Sequence, residues 1–111
     1  IFVQEFGDEM MFEVDVFWVR AADLDPVSLI KGLSGRISQL HLKDIKKGLK
    51  LPIYGGLPKD AFKELGNGMI SMEPIIEAAK AAGVVYCHVE QDQSPDPIAS
   101  IKESVAYLKR L

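Results

Sequence analysis

The chain has 111 residues, a formal net charge of −3 and 48% hydrophobic residues, which is ordinary for a globular domain with a modest core. We therefore predict a single domain over residues 1–111. Its Lys and Arg residues are spread along the sequence, which disfavours a nucleic-acid surface, and no apolar run approaches the length that spans a membrane. We accordingly expect a cytoplasmic protein without nucleic-acid or membrane partners.

The first half of the chain predicts two strands separated by a helix. Residues 1–11 look like the end of a helix followed by a turn, and the first strand is predicted from Phe12 to about Val19. Asp25 and Pro26 form an N-cap with proline at the first helical position, and Gly35 ends that helix.

The second strand is predicted from Arg36 to Leu42, and its end alternates strictly, with Leu40 and Leu42 on one face and Gln39, His41 and Lys43 on the other. Beyond it, residues 45–68 carry Pro and Gly repeatedly and predict a long loop with one helical turn near residues 60–65. A loop of this length in a small domain is commonly functional.

The second half of the chain predicts two helices around a third strand. Ser71 caps the first of these helices and Gly83 ends it, and the strand follows from about Val84 to Glu90. Its single cysteine, Cys87, is expected to be a small buried residue. Asp96-Pro97 begins the last helix, which is expected to bury four apolar residues: Ile98, Ile101, Val105 and Leu108.

Alternation of strands and helices predicts an α/β fold with parallel strands joined by right-handed crossovers, as in part of a (β/α) barrel. Three strands cannot close a parallel barrel, which needs about eight. The predicted sheet therefore has two open edges, and we expect the chain to form a homo-oligomer through them.

Each predicted strand carries one strong metal-ligand type near its C-terminal end, namely Asp15, His41 and Glu90. The carboxyl ends of parallel strands meet at one edge of a sheet, so these residues predict a common site. Carboxylate and imidazole ligands suit Mn²⁺, Mg²⁺, Co²⁺ or Zn²⁺. The alternative is that the three residues are only ion-paired and solvated.

The sequence resembles the C-terminal part of the sugar phosphate isomerase/epimerase family, the xylose-isomerase-like TIM barrels, and within it the inosose dehydratase branch. The resemblance covers nearly the whole chain and rests on the order and spacing of six segments: Asp15-Val-Phe-Trp-Val, Asp25-Pro26, His41-Leu-Lys43-Asp44, Glu64-Leu-Gly66-Asn-Gly68, Val89-Glu90-Gln-Asp92 and Ser104-Val-Ala-Tyr107-Leu. It implies that the chain is the last three strand-helix units of a (β/α)8 barrel.

The resemblance also implies a divalent metal held by two Glu, one Asp and one His. Asp15, His41 and Glu90 match three of these ligands, whereas the other Glu would lie on an earlier strand that this sequence does not contain. Trp18 stands where several epimerases have a substrate-binding His. This difference leaves the substrate open.

A reaction follows from this implied site. The metal would polarise the carbonyl of a sugar or sugar phosphate, and Glu90, both ligand and base, would move a proton alpha to that carbonyl. Lys43 is a second candidate catalytic residue that would stabilise the developing enediolate. The candidate substrate-binding residues are Trp18, Lys43, Asp44 and His88.

Each of these residues also has a simpler interpretation. Lys43 and Asp44 would form an ion pair at a strand end, or Asp44 would hold a neighbouring side chain in place. His88 would be a hydrogen-bonded interior residue, and Trp18 would pack at the barrel rim. The turn at residues 66–68 resembles a phosphate-binding turn, although a lone Gly-x-Gly is a weak signal.

Three alternatives to an isomerase or epimerase stay open. One is a non-catalytic barrel fragment that assembles with itself or with its missing half, suggested by the absent Glu ligand, the absent strands and the Ile at position 1. Another is an inosose-type dehydratase. The last is the endonuclease IV branch, whose zinc cluster uses several His residues, whereas this sequence has only His41 and His88.

Overall fold

A three-stranded parallel sheet organises the computed structural model, which describes residues 2–111. Ile1, with which the predicted N-terminal segment begins, lies outside the described residues. The elements follow in the order α1 (Phe2–Glu5), β1 (Phe12–Asp15), α2 (Val16–Ala21), α3 (Pro26–Gly32), β2 (Ile37–Leu42), β3 (Asp44–Ile45), β4 (Phe62–Lys63), α4 (Met72–Ala81), β5 (Tyr86–Val89) and α5 (Pro97–Leu108). Within residues 2–111, no helix is both long and apolar enough to cross a bilayer.

The sheet has the strand order β1-β2-β5, and both strand pairs are parallel. The register places His41 beside Asp15 on one side and beside His88 on the other. Leu40 and Leu42 alternate with these polar residues and are fully buried against the helices. The α/β prediction with parallel strands is therefore confirmed, and among residues 2–111 neither β1 nor β5 has a strand on its outer side.

The first strand is shorter than predicted because Asp15 begins a helix. The Asp15 side chain accepts the backbone N–H groups of Phe17 at 2.9 Å and Trp18 at 3.4 Å, which is an N-cap contact. The chain therefore turns into α2 at Val16, and the prediction of a strand through Val19 was wrong. The apolar residues 16–19 favoured a longer strand in the sequence and gave no sign of the N-cap at Asp15.

Helix starts at the two Asp-Pro pairs are confirmed. Asp25 accepts the N–H of Ser28 at 3.0 Å, and Asp96 accepts the N–H of Ala99 at 3.1 Å. Ser71 is at the predicted N-cap position of α4 but makes no side-chain capping hydrogen bond.

The long segment after β2 is partly ordered as a small antiparallel pair. Ile45 pairs with Phe62 and Asp44 pairs with Lys63, so the helical turn predicted near residues 60–65 is absent. Phe62 stacks on Phe17 with ring centroids 4.5 Å apart. The segment therefore contributes to the core, next to the end of β2.

The last helix has its apolar face turned to solvent, contrary to prediction. Its fully buried residues are Ser100 and Ser104, whereas Ile98 is 67% and Ile101 is 40% exposed. Val105 is also exposed, and of the four predicted residues only Leu108 packs, half-buried, against the core. Cys87 on β5 is also exposed rather than buried. The prediction of burial was wrong because β5 is a sheet edge, and among residues 2–111 no further element covers the apolar face of α5.

Candidate active site

The predicted metal ligands meet at the C-terminal ends of the three parallel strands. Asp15 and His41 are register partners on β1 and β2, and the N–H of Glu90 donates to the carbonyl oxygen of Leu42 at 3.1 Å just beyond β5. One ligand atom from each of Asp15, His41 and Glu90 lies within 4.8 Å of the others. The parallel strands therefore bring these three side chains together.

His41 connects the carboxylates on both sides of its ring. Its Nδ1 lies 2.6 Å from Glu90 Oε2 and 3.8 Å from Asp15 Oδ2, while its Nε2 is paired with the Glu13 carboxylate. Sequence reasoning missed Glu13, although it lies two residues before Asp15 and so shares its face of β1. A carboxylate on the second ring nitrogen fixes the orientation of a metal-binding histidine.

Lys43 is the buried cation of the site. It is 4% exposed, and its Nζ lies 3.1 Å from Asp15 Oδ2, 2.8 Å from Glu90 Oε2 and 2.9 Å from Asp92 Oδ1. Burial alone lowers the pKa of Lys43, but its contacts with Asp92, Glu90 and Asp15 outweigh burial and raise it above the ordinary value. Lys43 therefore remains an ammonium. Asp92 is a second site residue that sequence reasoning left without a role.

Glu90 provides the oxygen that both Lys43 Nζ and His41 Nδ1 approach. The Lys43 ammonium lowers the pKa of Glu90, so this carboxyl is ionised near neutral pH. Among residues 2–111, Glu90 Oε2 is buried without a hydrogen bond of standard geometry. The Asp15 and Glu90 carboxylates and the His41 imidazole together form a donor set that fits a divalent cation.

Asp44 is fully buried and acts on the backbone rather than on the site. Its Oδ1 accepts the N–H groups of Ile45 at 2.8 Å and Ile70 at 2.9 Å, and its Oδ2 accepts those of Gly66 at 3.1 Å and Gly68 at 2.9 Å. Burial raises the pKa of Asp44, and the four amide groups oppose that effect. The structure thus gives Asp44 a loop-holding role in place of the predicted substrate contact or Lys43 ion pair.

The turn at residues 66–68 does not bind phosphate in this arrangement, because the Asp44 carboxylate already takes the amides of Gly66 and Gly68. A Cβ at Gly68 would overlap the Asp44 carboxylate and the carbonyl oxygen of Ile45. The glycine is therefore required by close approach of the backbone to Asp44.

Trp18 and His88, the other predicted substrate-binding residues, border the site. Trp18 lies in the first turn of α2, 48% exposed, with its ring edge-on to Phe17. His88 is exposed, pairs with Gln39 at 2.7 Å and lies edge-on to His41 with ring centroids 5.7 Å apart. Both side chains are accessible to a ligand.

A cavity of about 570 Å³ is lined in part by Gln91, which lies between Glu90 and Asp92 in the sequence. Its wall also includes Lys59, Lys63, Glu64 and Ser94. This volume is in the range of small-molecule binding sites, but none of Asp15, His41 and Glu90 lines the cavity.

Comparison with known proteins places this geometry in context. No family model matches the sequence. Over 80 residues, the chain is 32% identical to a protein of Mycobacterium tuberculosis described as "Probable endonuclease 4" and to its counterpart in Mycobacterium bovis. These alignments cover 71% of this chain but 29% of each relative, so the chain spans less than a third of the length of these relatives.

Two crystal structures, each described as a sugar phosphate isomerase/epimerase from Parabacteroides distasonis, are similar in fold. One has a TM-score of 0.65 and 28% identity, covering 91% of this chain and 31% of that chain. The other has a TM-score of 0.66 and 25% identity, covering 91% of this chain and 30% of that chain. The described residues therefore share the fold of one segment of these proteins.

Proposed function

We propose that this chain carries most of a metal-dependent active site that isomerises or epimerises a sugar or sugar phosphate. The observation that carries the proposal is the convergence of Asp15, His41 and Glu90 within 4.8 Å at the C-terminal ends of parallel strands. The likeness to solved structures described as sugar phosphate isomerase/epimerase supports the substrate class. An inosose-type dehydratase remains a prediction from sequence resemblance.

In this proposal, Asp15, His41 and Glu90 would hold a divalent cation such as Mn²⁺, Mg²⁺, Co²⁺ or Zn²⁺, which would supply Lewis-acid polarisation of the substrate carbonyl. Glu90 is ionised and can accept a proton from the carbon alpha to that carbonyl. The Lys43 ammonium can donate a hydrogen bond to the oxygen that becomes negatively charged.

The substrate would bind at this cluster, at the C-terminal ends of the parallel strands. Trp18 offers an exposed apolar ring face, and His88 offers a ring nitrogen at the same sheet edge. Lys59 and Lys63 in the cavity wall are suitable contacts for an anionic group. We propose that water or a residue of another chain completes the metal coordination.

Metal binding by two histidine variants tests this proposal. We expect isothermal titration to detect about one Mn²⁺ per chain, lost in His41→Ala and retained in His88→Ala, the matched control on the neighbouring strand. With metal bound, solvent deuterium is expected to enter a keto-sugar substrate at the carbon next to the carbonyl. Equal metal binding by wild type and His41→Ala would contradict the site.

A non-catalytic assembly segment is a second candidate, because an apolar surface is left uncovered. Ile98, Ile101 and Val105 on α5 are 67%, 40% and 36% exposed, and Tyr86 on the neighbouring edge strand is 64% exposed. We propose that this surface packs against further β/α units or a second copy. Sedimentation velocity should show self-association that Ile101→Lys weakens and Ala106→Lys does not.

The similarity to "Probable endonuclease 4" supports a third candidate, a metal-dependent nuclease. The net charge of −3 and the carboxylate-rich cluster weaken attraction to a phosphate backbone. Salt-dependent binding to a duplex with an abasic site would favour this candidate over the sugar isomerase.

A further inference from the structure

The Lys43 ammonium is surrounded by carboxylates: its Nζ donates a hydrogen bond to Asp92 and is ion-paired with Asp15 and Glu90. It has three N–H donors, and three carboxylate oxygens lie 2.8–3.1 Å from Nζ, on Asp15, Glu90 and Asp92. Since Lys43 is 4% exposed, water contributes little to its solvation. The structure therefore shows a closed cluster in which one buried cation neutralises part of the negative charge.

Two of these three carboxylates have a second function in the proposed metal site. Asp15 and Glu90 belong to the group of metal-ligating residues, whereas Asp92 does not. An ammonium and a divalent cation that use the same oxygens exclude one another sterically and repel one another electrostatically. Asp92 is the one acceptor of Lys43 that a metal would leave free.

We propose that Lys43 is an internal counter-ion that competes with a divalent metal for Asp15 and Glu90, and that Asp92 retains Lys43 when the metal binds. This inference rests on the proposed metal site. It makes Asp92 a positioning residue, because Asp92 holds the ammonium beside the site without ligating the metal.

Mn²⁺ affinity in four proteins tests the competition: wild type, Lys43→Met, Asp92→Asn and the double variant. Methionine keeps an unbranched apolar stem of similar length and removes the charge. We expect Lys43→Met to bind Mn²⁺ about tenfold or more tightly, because a cation is removed within a few ångströms of the ligands. We expect Asp92→Asn to bind several-fold more weakly, since Lys43 then depends more on Asp15 and Glu90.

The double variant separates competition from simple loss of charge. Asp92→Asn is expected to have little effect once Lys43 is methionine, because no ammonium remains to be retained. Lys46→Met and Asp60→Asn are the matched controls, since these residues form an exposed ion pair of the same charges. Each control is expected to change the affinity less than about twofold, because exposed charges at a distance are screened.

The outcomes distinguish this inference from the metal site itself. Tighter binding by Lys43→Met, or Mn²⁺ binding by Lys43→Met alone, supports competition. If Lys43→Met binds Mn²⁺ no more tightly than wild type, and wild-type binding depends on His41, the counter-ion role of Lys43 is overturned but the metal site stands. An equal Asp92→Asn effect in both backgrounds overturns the role of Asp92. No Mn²⁺ binding by either wild type or Lys43→Met overturns both proposals.

Circular dichroism of each variant shows whether the fold is kept. The Asp92 side chain is 36% exposed, so its substitution is expected to be tolerated. If Lys43→Met does not fold, Lys43→Gln, which also removes the charge, replaces it in the same four-protein comparison. The outcomes stated for Lys43→Met then apply to Lys43→Gln.

Discussion

The carboxylate of Asp44 accepts the backbone N–H of Gly68 at 2.9 Å, 24 residues further along the chain. The same carboxylate also binds the amides of Ile45, Gly66 and Ile70. These four hydrogen bonds form a clamp, and three of them join Asp44 to the turn at residues 66–70. Asp44 directly follows Lys43 in the sequence. The buried Asp44 carboxylate, with its four backbone donors, therefore fixes the end of the strand that carries Lys43.

We predict that Asp44→Asn destabilises the fold strongly. An asparagine of equal size has one acceptor oxygen and directs an NH₂ group at backbone donors, so buried amides lose their partners. The expected loss in the free energy of unfolding is roughly 3 kcal/mol, measured by urea denaturation. Asp60→Asn, at an exposed carboxylate, is the control. A comparable loss in both variants would contradict the clamp.

Gly68→Ala is predicted to damage the same clamp from its other side. The new Cβ would overlap the Asp44 carboxylate and the Ile45 carbonyl oxygen, so the turn must move away from Asp44. We expect a loss of about 2 kcal/mol or more in unfolding free energy. Gly56→Ala, where a Cβ meets nothing within 4 Å, should leave the stability almost unchanged. Equal stabilities for both variants would argue against the overlap.

Much of the site was predictable because strand geometry is periodic. The alternating residues at the end of the second strand predict that His41 lies on the face opposite Leu40 and Leu42. The alternation of strands with helices along the chain predicts a parallel sheet, as observed. These two rules bring Asp15, His41 and Glu90 to one edge without any knowledge of loops. The roles of these residues as metal ligands and catalysts stay predictions, because they depend on a ligand and not on the fold.

Other features of the fold and the site could not be predicted, because they depend on contacts between residues distant in sequence or on competing local signals. The buried role of Asp44 required knowing that residues 66–70 fold back onto it, and the capping role of Asp15 competed with an apolar run that favoured a longer strand. The exposed face of α5 was mispredicted for a different reason. Its apolar pattern fits burial, but no element among residues 2–111 covers this face.

Glu13→Gln is predicted to weaken Mn²⁺ binding while leaving the three ligands in place. The Glu13 carboxylate is paired with His41 Nε2, on the ring nitrogen away from Asp15 and Glu90. A neutral amide orients the ring less firmly, so we expect an affinity loss of about tenfold. Isothermal titration measures it, with Glu77→Gln on α4 as a charge-matched control. Unchanged affinity in Glu13→Gln would remove Glu13 from the site.

Ser100→Ala is predicted to cause a loss of stability that depends on pH. The Ser100 hydroxyl donates to Glu64 Oε1 at 2.5 Å and lowers the pKa of Glu64 below its ordinary value of 4.5. A carboxyl with a depressed folded-state pKa stabilises the fold above the unfolded-state pKa, and this contribution disappears as the pH falls through the folded-state value. The difference in unfolding free energy between wild type and Ser100→Ala should therefore shrink on acidification.

Ser104→Ala is the matched control for that pH series. Ser104 is also buried on α5, but its hydroxyl accepts the N–H of Leu65 at 3.1 Å, a contact with a group that does not titrate. Its substitution is expected to cost about 1 kcal/mol at every pH. Urea denaturation of the three proteins from neutral pH down to about pH 3 measures both effects. Parallel pH profiles for the two serine variants would show that the Ser100–Glu64 contact does not stabilise the ionised carboxylate.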